Sequence, residues 1–393
     1  MNQCASRSPF GGFFYLVVSR FFVYDIYMEP EDAIIYSSPV PFIKVKGSHR
    51  EIGRQIGEAA RPLVEHSIQS AKNLVELTYN HLQLDWNGAN IQARKYLPFA
   101  QERYPQYVEE IIGIAEGANA SYDDLVVLHA MEAVTMDALH LTKCTSLGVD
   151  EQHTANGHVL IAHNEDWIPE DEADVMIVHV EADDEPPWIG MTYGGLLPNI
   201  GMNAIGLAQC CDSVYPNDCR IGIPRIIASR AVLGSRLISD AIRHMIVPLR
   251  AAGYNHLLGH ESGELYNIEV SARHFALLRS EDGYIVHTNH YLDPAMQAIE
   301  DEPDELISTR VRFSRAKHLL KKNDQHTIQS LQSILRDHIN YPDSICNHST
   351  NTNDPMDREK TITSLVMDLT SKQVSIAWGS PCKNNFHTYQ LDA

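Results

Sequence analysis

The spacing of apolar positions divides the chain into a mainly helical first part and a strand-rich remainder. Phe42-Ile43-Lys44-Val45-Lys46 alternates apolar and polar residues as a half-buried strand does, and Gly47 ends the run. Ser48, followed by Glu51, is a capping-box signature. Behind it Ile52, Ile56, Ala59, Ala60, Leu63, Ile68 and Leu74 recur at helical spacing, so a long helix is expected, kinked at Pro62. A second helix is expected from Tyr107 to about Ala118, and a third from Ser121, with Asp124 completing its cap.

From Cys144 onward the period shortens to that of strands. The run CTSLGV is followed by Asn156-Gly157 and then by HVLIAHNEDW from His158 to Trp167. Short β-rich runs flanking an Asn-Gly pair predict an antiparallel hairpin. Its return strand brings Asn164 to Asp166 alongside Cys144 to Ser146. Further strands are expected at Val175 to Val180, Trp188 to Thr192, Asn199 to Met202, Gly206 to Cys210, His256 to Leu258, Leu265 to Val270, Phe275 to Arg279 and Ile285 to Thr288. Two helices, Pro224 to Leu233 and Ser239 to Ile246, interrupt them. Helical regions at Asp304 to about Lys322 and Ile328 to Leu335 precede last strands at Thr363 to Met367 and Gln373 to Ala377, with a polar loop from Cys346 to Glu359 between. Strands, paired helices and more strands predict an α+β fold of two helix-covered sheets.

Composition narrows the function classes. The hydrophobic fraction of 44% suits a large globular core, and a formal net charge of −20 argues against nucleic-acid and anionic-membrane partners, which need clustered cations. Seven cysteines at irregular spacing fit a reducing compartment, hence a cytoplasmic protein, better than a disulfide framework. The lack of a CxxC pair argues against a thiolate zinc site. His153, His158 and His163, like His287 and His290, are spaced so that neighbours fall on opposite strand faces, so neither set converges on a metal. Residues 1–38 read as a poorly ordered N-terminal extension, with Met28 as the functional start; the apolar run Phe10 to Val18 is interrupted by Arg20 and too short to span a bilayer.

The hairpin places a thiol beside a carboxylate at the open end of a sheet. If the chain were cut before Cys144, that residue would carry both a thiol nucleophile and an α-amine of reference pKa roughly 7.7–8.0, suited to a general base. Asp166 would orient the amine through a charge-assisted hydrogen bond. The bland alternative is a cysteine half-buried on a strand as a small hydrophobe. Glu165, by alternation, is expected on the other strand face and away from the chemistry.

The motifs KGSHREIGRQIGEAAR at 46–61, RYPQYVEEIIGIAEGA at 103–118, CTSLGVDEQHTANGHVLIAHNEDW at 144–167, YIVHTNH at 284–290 and YPDSIC at 341–346 stand in a fixed order. In this the chain, from about Ile43 onward, resembles the acyl-coenzyme A:isopenicillin N acyltransferase family of N-terminal-nucleophile cysteine hydrolases, which are made as self-cleaving precursors. The resemblance implies a four-layer αββα sandwich, with 39–143 as the helical segment of the precursor and 144–393 as the catalytic segment, packed as one domain and staying together after the cut. It implies Cys144 as nucleophile, Asp166 as the catalytic aspartate, Asn289 as the oxyanion-hole amide, and Ser146 as a hydroxyl assisting self-cleavage. Ser271 and Trp167 are assigned to the substrate pocket, and Arg358, or alternatively Lys360, to its cation. Lys143 stands where the family commonly has glycine. The implied activity is cleavage of a small-molecule N-acyl amide through an acyl-enzyme, with no cofactor or metal. The alternatives are an acyltransferase using an acyl-coenzyme A thioester and an amine acceptor, and an unprocessed acyl-binding scaffold.

Overall fold

The computed structural model describes residues 39–131, 143–280, 282–301, 306–349 and 358–392; the N-terminal extension expected over 1–38 lies outside the described residues. Fourteen strands form two sheets among the described residues. The first sheet is built in the order β1 (Phe42–Gly47), β4 (Val175–Ala182), β5 (Trp188–Tyr193), β6 (Ile200–Asn203), β7 (Leu207–Asp212), β8 (Tyr254–His260), β9 (Leu265–Val270) and β10 (Phe275–Arg279). The second runs β11 (Tyr284–His287), β2 (Lys143–Val149), β3 (Leu160–Trp167), β12 (Lys360–Asp368), β13 (Gln373–Trp378) and β14 (Phe386–Gln390). Among the described strand pairs of the two sheets, β1–β4 alone is parallel.

The helices are α1 (His49–Ala59), α2 (Arg61–Leu77), α3 (Tyr79–Leu82), α4 (Trp86–Ala93), α5 (Leu97–Arg103), α6 (Pro105–Ala118), α7 (Tyr122–Met131), α8 (Arg225–Leu233), α9 (Ile238–Met245), α10 (Pro294–Gln297), α11 (Ile307–Lys321) and α12 (Ile328–Leu335). The long helix expected across Pro62 is two helices divided at Ala60, because the proline takes the first turn of α2, where its missing N–H costs nothing. The Ser48 cap forms as expected, with the Glu51 carboxylate accepting from the Ser48 backbone nitrogen at 3.0 Å.

Three cores separate four layers. Val178 and Trp188 of the first sheet pack with Ile52, Val64 and Ile111 of the N-terminal helices. Ile161, Leu365 and Ile376 of the second sheet meet Ile189, Leu257 and Ile268 of the first. Leu147, Leu160 and Ala162 pack outward against Ala316, Leu320 and Leu331 of α11 and α12. The order is helix, sheet, sheet, helix, the αββα sandwich.

Two of the ordered motifs have a packing role. A Cβ on Gly53 or Gly57 of α1 would lie 2.0 Å from the Glu110 carbonyl or 2.3 Å from the Ile114 carbonyl of α6. One on Gly113 or Gly117 of α6 would meet the carbonyls of Arg50 and Arg54 at 2.2 Å and 2.0 Å. Glycines one turn apart on each helix therefore let the two backbones interlock.

Candidate active site

Side-chain alternation along the central hairpin decides which groups face the inter-sheet space. On β3, Ile161 belongs to the core between the sheets while Leu160 and Ala162 belong to the core under α11 and α12. His163 and Glu165 therefore share the inner face, and Asn164 and Asp166 the outer one. Across the ladder Cys144 pairs with Glu165 and Ser146 with His163. Residues directly opposite in an antiparallel pair project to the same side. The expectation that Glu165 points away is thus corrected: the Cys144 Sγ lies 3.9 Å from Glu165 Oε2.

A continuous polar chain runs inward from that contact. Glu165 Oε2 is 2.8 Å from His163 Nε2, and Ser146 Oγ is 2.9 Å from His163 Nδ1 while donating to Asp212 Oδ1 of β7 at 2.7 Å. Because Ser146 spends its proton on Asp212, it accepts from Nδ1, and the Glu165 carboxylate accepts from Nε2, so His163 donates from both nitrogens and is an imidazolium. Burial opposes that charge, but Glu165 and Asp212 outweigh it and the His163 pKa is raised. Asp212 is buried too, yet His287, His163 and Ser146 hold its pKa below the usual value. Ser146 is accordingly placed next to Cys144 on one face, as a link between a buried histidine and a buried aspartate.

The backbone of Cys144 is gripped from α11. Arg312, 1% exposed, donates through Nη1 to the Cys144 carbonyl and, at 3.0 Å, to Thr145 Oγ1, and through Nη2 to Asn289 Oδ1 at 2.8 Å. Asn289 Oδ1 also accepts from the Cys144 backbone nitrogen at 2.8 Å. Both neighbours can only donate, so the amide oxygen must face them; the Nδ2 donor that an oxyanion would need is instead engaged with the Ser213 carbonyl at 3.0 Å.

Asp166 lies on the helix side of the sheet, opposite Lys143 in register. Thr361 Oγ1 donates to its Oδ1 at 2.5 Å, and Oδ2 has no hydrogen-bond partner among the described residues. Burial pushes its pKa up to about 7 against the opposing pull of Arg312, Thr361 and Lys143. Lys143 itself pairs with Glu359 at 2.9 Å and Asp343 at 3.4 Å.

The other assigned residues divide. Trp167 lines the same cleft as Cys144, and its indole nitrogen donates to Asp171. Ser271 does not reach the cleft: its hydroxyl donates to Asp218 at 2.9 Å and accepts from the backbone nitrogen of His274 at 2.9 Å, fixing a turn. Arg358 is drawn to Glu170, and Lys360 to Glu172 at 3.0 Å. The cation that reaches Cys144 is Arg312, which the helix period placed on α11 without marking as buried. His163, Glu165 and Asp212 were also missed, since strand parity depends on a register that one sequence leaves open by a residue.

Cys144, 3% exposed, opens on a narrow cleft of about 70 Å³ walled by Leu74, Leu128, Met131, Trp167, Leu196 and Ile226, with Glu165 and Asp171 as its acidic groups. Burial, then Glu165, Asp212 and Asp166, push the pKa of the Cys144 thiol well above that of an ordinary thiol; Arg312 pulls the other way less strongly. In the intact chain the sulfur is therefore a thiol at neutral pH, not a thiolate.

With a buried thiol at the edge of an apolar cleft and its backbone held on both sides, the chain is an enzyme of the class that joins amide hydrolases with acyltransferases, as its likeness to known proteins shows. A family model described as acyl-coenzyme A:6-aminopenicillanic acid acyl-transferase matches residues 153–383, and the chain belongs to that family. It is 25% identical over 345 residues, 86% of this chain and 92% of the relative, to the acyl-coenzyme A:6-aminopenicillanic-acid-acyltransferase 40 kDa form of Emericella nidulans. It is 26% identical over 224 residues, 52% of this chain and 56% of the relative, to the β-alanyl-dopamine/carcinine hydrolase of Drosophila melanogaster. Among solved structures, penicillin V acylase from Agrobacterium tumefaciens superposes at a TM-score of 0.43 and 15% identity, covering 60% of this chain and 83% of that one. No helix among the described residues is long and apolar enough to cross a membrane.

Proposed function

We propose that the protein is a self-processing N-terminal-cysteine amidohydrolase, cut between Lys143 and Cys144, that cleaves a small-molecule N-acyl amide through an acyl-enzyme on Cys144. The observation that carries this reading is the pairing of a protonated thiol facing an apolar cleft with a backbone nitrogen already held by Asn289 at 2.8 Å. In the uncut chain that nitrogen is an amide, whose lone pair is delocalised and cannot take a proton. Once cut, it is an amine of ordinary pKa roughly 7.7–8.0, still oriented by Asn289 Oδ1 and close enough in the same residue to take the thiol proton. The inertness of the intact thiol and the activation of the cut one thus follow from one bond.

The thiolate adds to the carbonyl carbon of the amide, the tetrahedral centre collapses with loss of the amine, which takes up the proton, and water then releases the acid. The apolar walls suit an acyl chain, and Glu165 and Asp171 suit a leaving group that carries an amine. Transfer from an acyl-coenzyme A thioester is the second reading; the described residues lining the cleft include no lysine or arginine to meet an anionic coenzyme. The test is a panel of N-acyl amides with neutral, cationic and anionic amines, incubated with and without a free amine acceptor. Free acid released regardless of acceptor, fastest from cationic amides and lost in Cys144→Ala, is expected. Product formed only with acyl-coenzyme A and acceptor would contradict hydrolysis.

A further inference from the structure

Away from the cleft, three separated stretches of chain bring four metal-ligating side chains to one point. His338 follows α12, Cys346 and His348 lie in the segment after it, and Cys382 lies between β13 and β14. One ligand atom from each falls within 4.8 Å of all the others. His348 Nε2 is 3.3 Å from Cys346 Sγ and 3.7 Å from Cys382 Sγ. With zinc–sulfur bonds of about 2.3 Å and zinc–nitrogen bonds of about 2.0–2.1 Å, the edge of a tetrahedron between a thiolate and an imidazole is about 3.6 Å. The separations of 3.3 Å and 3.7 Å bracket that edge.

We propose that His338, Cys346, His348 and Cys382 bind one zinc ion as a closed, structural Cys2His2 site. The ligands are held in place before any metal arrives. Cys346 donates from its backbone nitrogen to the Asp337 carbonyl at 3.0 Å, His348 to the Pro342 carbonyl at 3.1 Å, and Arg336 Nε reaches the Pro381 carbonyl beside Cys382 at 2.7 Å. Cys346 and His348 are buried, and the rings of His338 and Tyr341 pack on that of His348 at 5.3 Å and 5.5 Å. All four positions are filled by protein, which leaves no open site for substrate and points to a staple. The ion would pin the segment carrying Asp343, a partner of Lys143, to the β13–β14 turn. The spacing, with no CxxC pair, hides this set from a sequence reading. A second cluster, Cys144 with His163 and Glu165, is as closely set but belongs to the cleft already described.

The inference does not depend on the proposed reaction, and its test does not use activity. The full chain, kept reduced, is stripped with a chelator and dialysed against zinc, and bound metal is measured by mass spectrometry; about one ion per chain is expected. Titration of the stripped chain with cobalt(II) should give intense visible bands and a near-ultraviolet thiolate charge-transfer band. The same spectrum is expected from Cys144→Ala, and its loss from Cys346→Ser and Cys382→Ser, with circular dichroism to check folding. If those variants do not fold, the wild-type and Cys144→Ala spectra still decide. Failure of the reduced wild type to retain zinc, a weak six-coordinate cobalt spectrum, binding that disappears in Cys144→Ala, or a Cys346–Cys382 disulfide whose reduction restores no metal uptake would each overturn it.

Discussion

At the scale of single residues, Arg312 is the group on which the geometry at Cys144 depends most. Its guanidinium fork serves the Cys144 carbonyl and Asn289 together, and a lysine, with one nitrogen, cannot span both. Arg312→Lys should fold yet lower both the rate of self-cleavage and kcat by roughly tenfold or more, since a buried charge-assisted hydrogen bond that holds the Cys144 backbone contributes about 1.5–3 kcal/mol. Gel-based processing kinetics and steady-state turnover check this. Asp166 gives a prediction in pH. Its folded pKa of about 7 lies above the ordinary aspartate value of roughly 3.9, so between those values the folded state holds a proton that the unfolded state has released. Stability therefore falls as pH rises through that window and stays lower above it. Asp166→Asn removes the slope, so its Tm relative to the parent should be higher at pH ~8 than at pH ~4. Equal differences at the two pH values would contradict a carboxyl held neutral by burial.

At the scale of elements, the hairpin of β2 and β3 and the crossing of α1 on α6 organise the molecule. The hairpin and the start of α1 were legible, for different reasons; that α1 crosses α6 was not. Asn156-Gly157 marks the turn because Gly157 adopts φ 72°, and the capping box marks the start of α1. The face that each strand residue takes was not legible: Glu165 and Asp166 differ only by register, and the core residues Ile161 and Ala162 settle it only once both sheets are placed. The burial of Arg312 was hidden likewise, because an arginine on a helix reads as solvated until its acceptors arrive from other strands. The strand β14 was overlooked because Phe386–Gln390 is half-exposed at a sheet edge and carries little apolar period. Gly113→Ala puts a methyl 2.2 Å from the Arg50 carbonyl, so the helices must part. A loss of about 1–3 kcal/mol is expected by denaturant unfolding, larger than for alanine at an exposed helical site.

At the scale of the whole molecule, the segments on either side of Lys143 share one structure. Strand β1 from the first pairs with β4 from the second, and α1, α2, α6 and α7 bury their apolar faces on the first sheet. A cut before Cys144 would sever the chain without exposing a core, so the products should remain one particle until denatured. The most direct test is intact-mass spectrometry on freshly purified protein, run in native and in denaturing solvent. One particle that resolves on denaturation into two chains, the second beginning at Cys144, and that stays a single 44.2 kDa chain in Cys144→Ala, is the expected result. A wild-type chain that remains uncut while turning over substrate at full rate would contradict it.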